Sequence, residues 1–99
     1  MRIELSELVA FATVAAERSF TRAAVRLGVS QSALSHTIRG LERKLELPLL
    51  ARTTRSVAPT AAGAALLRDL APALEQIEGA LAEARSQFLS LHPADPGSA

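Results

Sequence analysis

Gln31, Ser32, Ser35, His36 and Arg39 recur at steps of one, three, one and three, which places them together on one side of a helix. All five can hydrogen-bond. A helix presenting them suits a major groove about 12 Å wide, where the edges of stacked bases offer donors and acceptors. Ser35 beside His36 also raises the thought of a nucleophile and its base. Neighbours on a helix point about 100° apart, however, and no placed carboxylate completes such a set. Catalysis is therefore set aside. His36 and His92 stand far apart in a chain without cysteine, so a metal site is not expected either, nor is any cofactor.

The elements that would position these residues can be read from Ser19 to Leu45. Gly28 follows Leu27, where a helix would end on a left-handed residue, and Ser30 offers a hydroxyl to start the next. A short helix is predicted from about Thr21 to Leu27 and a second from Gln31 to about Leu45. In the second, Leu34, Ile38, Leu41 and Leu45 form the buried stripe opposite the polar face. A solvated face in a small bundle would show the same pattern, and a helical protein-interaction module is the alternative function. Its mark would be a neutral recognition face. Between Arg18 and Arg55 eight basic residues stand against Glu42 and Glu46, a net charge of +6, while the remainder carries −5. A basic module is thus joined to an acidic one, and the basic part bears the candidate recognition helix, as phosphate contact requires. With no Trp or Tyr, the stacking residues of single-stranded RNA recognition are missing.

Length and composition agree with a small domain. Of 99 residues, 48% are hydrophobic, yet 20 residues are Ala, so the core must come from closely packed helices. Glu4, Glu7 and Glu17 interrupt the first twenty residues, which lack a signal layout, and no apolar run reaches the roughly 18 residues of a membrane span. Together with the absence of cysteine, this fits a reducing cytoplasm, and a protein bound to DNA there would be nucleoid-associated.

Flanking elements follow from periodicity and breakers. Leu5, Leu8, Val9, Ala12, Ala15 and Ala16 make a first helix from Leu5 to Glu17, with Phe11 off the centre of that stripe and facing a second surface. Pro48 ends the helical run. Leu49 and Leu50 then open an extended segment, Arg52 to Ser56 form a basic turn, and Val57 to Pro59 return. This hairpin is a wing, with Arg55 placed for phosphate or a narrow minor groove. Arg52 either shares that role or braces the hairpin against a carboxylate such as Glu42. Thr60 is a good N-cap for a long helix to Leu91. There Leu67, Leu70, Leu74, Ile77, Leu81, Ala84, Phe88 and Leu91 keep a heptad alternation. Thirty-one residues would span about 46 Å, too long for a small head to cover, so self-association is expected. Pro72 should bend this helix without breaking it. His92 to Ala99, rich in Pro and small residues, reads as a hinge.

The ordered motifs SFTRAA at Ser19, VSQSALSHTIRGLE at Val29, PLLARTTRSVAPT at Pro48 and AAG at Ala61 resemble the N-terminal DNA-binding domain of LysR-type transcriptional regulators, over Leu5 to Leu91. The resemblance implies a mainly α fold: a winged helix-turn-helix over residues 1–59, a linker helix over 60–91 that pairs antiparallel with a second copy, and a hinge over 92–99. It implies double-stranded DNA as partner, an interrupted palindrome bounded by T and A, with the recognition helix in the major groove and the wing at the minor groove. Carried onto this sequence, Gln31, Ser32, Ser35 and His36 face bases and phosphates, Thr21 and Arg22 touch backbone, and Arg55 is the wing contact. Arg18, Arg39, Arg52 and Thr54 complete the expected DNA-binding set. Leu67, Leu70, Leu74, Ile77, Leu81, Ala84 and Phe88 form the expected homodimer seam. Complete members carry a C-terminal domain for a small-molecule effector and commonly act as tetramers; that domain is absent from these 99 residues, which therefore look like the DNA-binding fragment. Two positions depart from the family pattern. His36 stands where Arg is common, which puts base preference there in question, and Leu50 stands where Phe is common.

Overall fold

The computed structural model describes residues 1–91; the hinge expected over 92–99 lies outside them. Four helices and one hairpin follow in the order α1 (Leu5–Glu17), α2 (Phe20–Leu27), α3 (Gln31–Leu45), β1 (Leu50–Arg52), β2 (Val57–Pro59) and α4 (Ala61–Leu91). The mainly helical, winged architecture expected from the sequence is present.

Each boundary has a local chemical cause. The Ser19, Ser30 and Thr60 hydroxyls accept from the backbone N–H groups of Arg22, Ala33 and Gly63 at 3.1, 3.1 and 3.0 Å, satisfying donors that the first turns of α2, α3 and α4 leave open. Ser19 is the α2 cap, so that helix starts at Phe20, slightly earlier than the expected Thr21. Gly28 closes α2 in the left-handed conformation at φ 69°. Arg18 and Glu46 close α1 and α3 in the same way at φ 54° and 57°, although neither is the glycine that this conformation favours.

The first helix buries a different face from the one its leucines suggest. Phe11 and Val14 are fully buried with Ala10 and Ala15 beside them, while Leu5 is half exposed and Ala16 lies outside. In an Ala-rich helix several stripes look apolar, and the largest side chain decides, because Phe removes the most apolar area from water. Phe11 is thus at the centre of the core, where it joins Phe20, Ala23, Leu34, Ile38, Leu41, Leu49 and Val57. Glu7 is buried on the same face. Its Oε1 accepts from the Glu4 N–H at 2.8 Å and lies 2.7 Å from Lys44 Nζ on α3. Those two bonds, the backbone one first, hold the Glu7 carboxyl below the ordinary value of 4.5 against the opposing effect of burial.

Wing and α4 meet at Leu49. The Glu42 carboxylate accepts from the Leu49 and Leu50 N–H groups at 2.7 and 3.3 Å, so Glu42 anchors the backbone entering β1 and is not the brace for Arg52. The hairpin pairs Leu50 with Pro59, Ala51 with Ala58 and Arg52 with Val57. On its return, Thr60 donates its N–H to Leu49 O at 2.9 Å and its hydroxyl to Pro48 O at 2.6 Å. Gly63 then lies so close that a Cβ there would stand 2.1 Å from Leu49 O. The close approach requires glycine.

The long helix runs continuously through Pro72 to Leu91. Its first half folds back on the head: Leu70 is buried in the core, and Leu66, Leu67 and Leu74 pack against it. Three residues of the expected dimer seam are therefore engaged within their own domain, because the head covers about four turns. Beyond them the helix is uncovered, with Ile77 and Leu81 40% and 67% exposed.

Two outcomes test this packing. Gly63→Ala should cost about 1–3 kcal/mol in urea unfolding, since the added methyl meets backbone that cannot move aside. The Glu7 carboxyl, held below its ordinary value, contributes stability that is present above that value and lost as pH falls through the lower, folded one. Thermal midpoints measured from about pH 6 down to pH 3 should therefore fall more steeply for the wild type than for Glu7→Gln.

Candidate nucleic-acid interface

Three segments converge on one face: the start of α2, the start of α3 and the turn of the wing. The turn between the helices is short because Val29 N–H reaches back to Ala24 O at 3.0 Å while Gly28 N–H bonds Val25 O at 3.2 Å. Ser30 then starts α3 at once. Gln31 Nε2 donates to Thr21 Oγ1, linking the first turns of both helices.

The tip of the wing is held by its own side chains. Thr53 Oγ1 accepts from the Ser56 and Arg55 N–H groups at 3.0 and 3.3 Å, and Thr53 N–H donates to Ser56 O at 2.8 Å. Thr54 and Arg55 are exposed at this turn. Arg52, one residue before it, turns inward: its Cζ sits 3.9 Å from the centroid of the Phe20 ring and its Nη2 donates to Ser35 Oγ at 3.3 Å. Stacking of a guanidinium on an aromatic face is attractive because the ring's face is electron-rich. Arg52 therefore does brace the hairpin, against α2 and α3. This contact also pairs the Ser35 hydroxyl with an arginine and not with His36.

The expected site residues fall into two adjoining clefts. One, of about 400 Å³, brings together Arg18, Arg22, Gln31, Arg52, Thr54 and Arg55. The other, of about 410 Å³, lies between α3 and β1 and is lined by Gln31, Ser32, Ser35, Arg39, Arg52 and Phe20. Five arginines and no carboxylate line the two, so the face is positively charged throughout. Thr21 joins through its bond to Gln31. His36 is exposed on α3 but lines neither cleft. Arg22 lies at the border, its guanidinium donating to Glu17 O at 2.6 Å and its Nε lying 3.6 Å from Glu17 Oε1. Arg26 pairs with the same carboxylate at 3.1 Å. Both arginines are well exposed, and such pairs are weak enough to yield to a phosphate.

Phe20 lines both clefts beneath Arg52 and is not singled out in the sequence. Its signal was an aromatic directly after the Ser19 cap, with no assigned place in an apolar stripe. Among the described residues no three His, Cys, Asp or Glu side chains are grouped to hold a metal, and no helix is long and apolar enough to cross a membrane.

Comparison with known proteins matches this architecture. The family described as "Bacterial regulatory helix-turn-helix protein, lysR family" matches residues 5–64. The transcriptional regulator PgrR of Escherichia coli K12 is 57% identical over 81 residues, covering 82% of this chain and 27% of its own length. A putative transcriptional regulator of Pseudomonas aeruginosa is 54% identical, covering 80% of this chain and 26% of its own. The chain thus spans about a quarter of the length of these curated relatives. Among solved structures, the BenM DNA-binding domain in complex with benA site 1 DNA superposes with a TM-score of 0.78 at 31% identity, covering 87% of this chain and 97% of that one. Oxidized OxyR of Corynebacterium glutamicum gives 0.79 at 37% identity, covering 85% and 27%. With more than half of its residues inside the family's pattern and its α1-to-α4 order shared with these structures, the chain belongs to the lysR family of bacterial regulatory helix-turn-helix proteins.

Proposed function

We propose that this chain binds duplex DNA sequence-specifically as the DNA-reading part of a transcriptional regulator. The observation that carries the reading is the convergence of α2, α3 and the wing on a face lined by five arginines and no carboxylate. Gln31, Ser32, Ser35, His36 and Arg39 present hydrogen-bonding groups for base edges and adjacent phosphates in the major groove. Thr21, Arg22 and Arg18 flank them for backbone contact, and Thr54 and Arg55 extend from the wing toward the neighbouring minor groove. The BenM domain, similar over nearly its whole length, is a protein solved on DNA, which supports this placement.

Residues 1–59 act as the reading head, but the first turns of α4 belong physically to that head through Gly63, Leu66 and Leu70. The exposed part of the seam is Ile77, Leu81, Ala84 and Phe88. Pairing there, with the two helices antiparallel, would carry two heads to two half-sites of an interrupted palindrome. The full regulator would assemble as a tetramer and bind a small-molecule effector through a further region, and a regulator acting on chromosomal DNA works in the cytoplasm at the nucleoid.

Selecting duplexes from a random pool at two salt concentrations tests the reading. Two-fold-related half-sites should be enriched, with affinity falling on a log–log salt slope near −5 per head if about six phosphates are neutralised; binding without sequence enrichment would refute it. Arg22→Ala should weaken selected and random duplexes alike and lower the salt slope by about one. Leu81→Glu should give monomers in sedimentation that lose palindrome affinity while retaining the folded head. Intact Leu81→Glu dimers would move the interface elsewhere.

A further inference from the structure

Wing and recognition helix are joined by a side chain whose hydrogen bond runs in one direction only. Arg52 lies over Phe20 and donates to Ser35 Oγ at 3.3 Å. A guanidinium has N–H groups and no acceptor, so Ser35 must be the acceptor. Hydroxyls on helices often have another outlet, the carbonyl four residues back. Thr13 and Thr37 take it, donating to Val9 O and Ala33 O at 2.7 and 3.0 Å. Ser35 does not: among the described residues its hydroxyl makes only the bond it accepts from Arg52. Its proton and one lone pair are left for the open side of the cleft, where Gln31, Ser32 and Arg39 also stand.

We propose that Arg52 is a positioning residue that biases Ser35 toward donating its hydrogen bond, so that the base beneath Ser35 is favoured when it offers an acceptor on its major-groove edge. Purine N7, guanine O6 and thymine O4 satisfy it, and the amino group of cytosine does not. The inference rests on the reading that α3 lies in the major groove. A serine free to rotate accepts as readily as it donates and so reads either kind of edge. Arg52 tilts that balance toward donation: it takes one of the two lone pairs from the wing side, and a cation bonded to the oxygen polarises the O–H and opposes the approach of a second donor. Sequence preference at this position therefore depends on a residue that stands outside the recognition helix.

The test compares the preferred duplex from a random-pool selection with all its single base-pair variants, for the wild type, Ser35→Ala, Arg52→Ala and the double substitution. Wild type should disfavour cytosine at one position by roughly five- to ten-fold. Ser35→Ala should abolish that preference there alone. Arg52→Ala should abolish it at the same position while preferences elsewhere stay within about two-fold, and the double substitution should add nothing further. Arg52 is exposed, but it covers one face of the Phe20 ring; Arg52→Met, which keeps an unbranched stem against Phe20 without a donor, should give the same profile if the Ala variant folds poorly. Uniform weakening on every duplex, with the cytosine preference kept and the salt slope lowered by about one, would make Arg52 a phosphate contact and overturn the proposal. Additive losses in the double substitution would overturn it too. A wild type that enriches no sequence would instead remove the reading on which it rests.

Discussion

The backbone of Leu49 is the point on which the rest of the molecule depends. Its N–H is held by the Glu42 carboxylate of α3, its carbonyl accepts from Thr60 and lies against Gly63 of α4, and its side chain is fully buried. One residue thus ties recognition helix, wing and long helix together. The hydrogen bond from Leu49 N–H to Glu42, 2.7 Å long and part-buried, ties the strand backbone directly to α3. Because β1 leaves this anchor at once, the distance between wing and α3 is set here. Arg52 can reach Ser35 only because that distance is fixed.

Much of this was legible in the sequence because it is encoded locally. Gly28 and Ser30 announced the turn between α2 and α3, Thr60 announced α4, and the apolar stripe from Leu34 to Leu41 placed the polar face of α3 outward. The stripe of α1 was misjudged because its alanines and leucines look alike on a helical wheel, and only the depth available to Phe11 distinguishes its faces. In the sequence, Glu42 is one of the carboxylates against which Arg52 could brace the hairpin. Burial of the Leu49 and Leu50 N–H groups, which must find an acceptor, is a stronger demand and is invisible before the chain is folded. The same holds for Phe20, whose role depends on a wing more than thirty residues away.

Charge is arranged to leave the reading face open. The carboxylates near it are turned to other uses: Glu42 holds the strand, Glu7 pairs with Lys44 behind the helices, and Glu17 meets Arg22 and Arg26 at the margin. None lines either cleft. A net charge of only +1 over the whole sequence therefore coexists with a concentrated positive field where phosphates would lie, and the acidic balance is shared between the residues through Glu17 and those of α4.

The order of the wing exists before any partner arrives. Thr53 and Ser56 close its turn with their own hydroxyl and backbone groups, and Arg52 is already stacked and bonded. Ordering a long side chain at an interface costs about 0.5–1.5 kcal/mol in conformational entropy. Here that cost falls on folding, so association is spared it, and the part of the wing left to lose freedom on contact is the tip formed by Thr54 and Arg55.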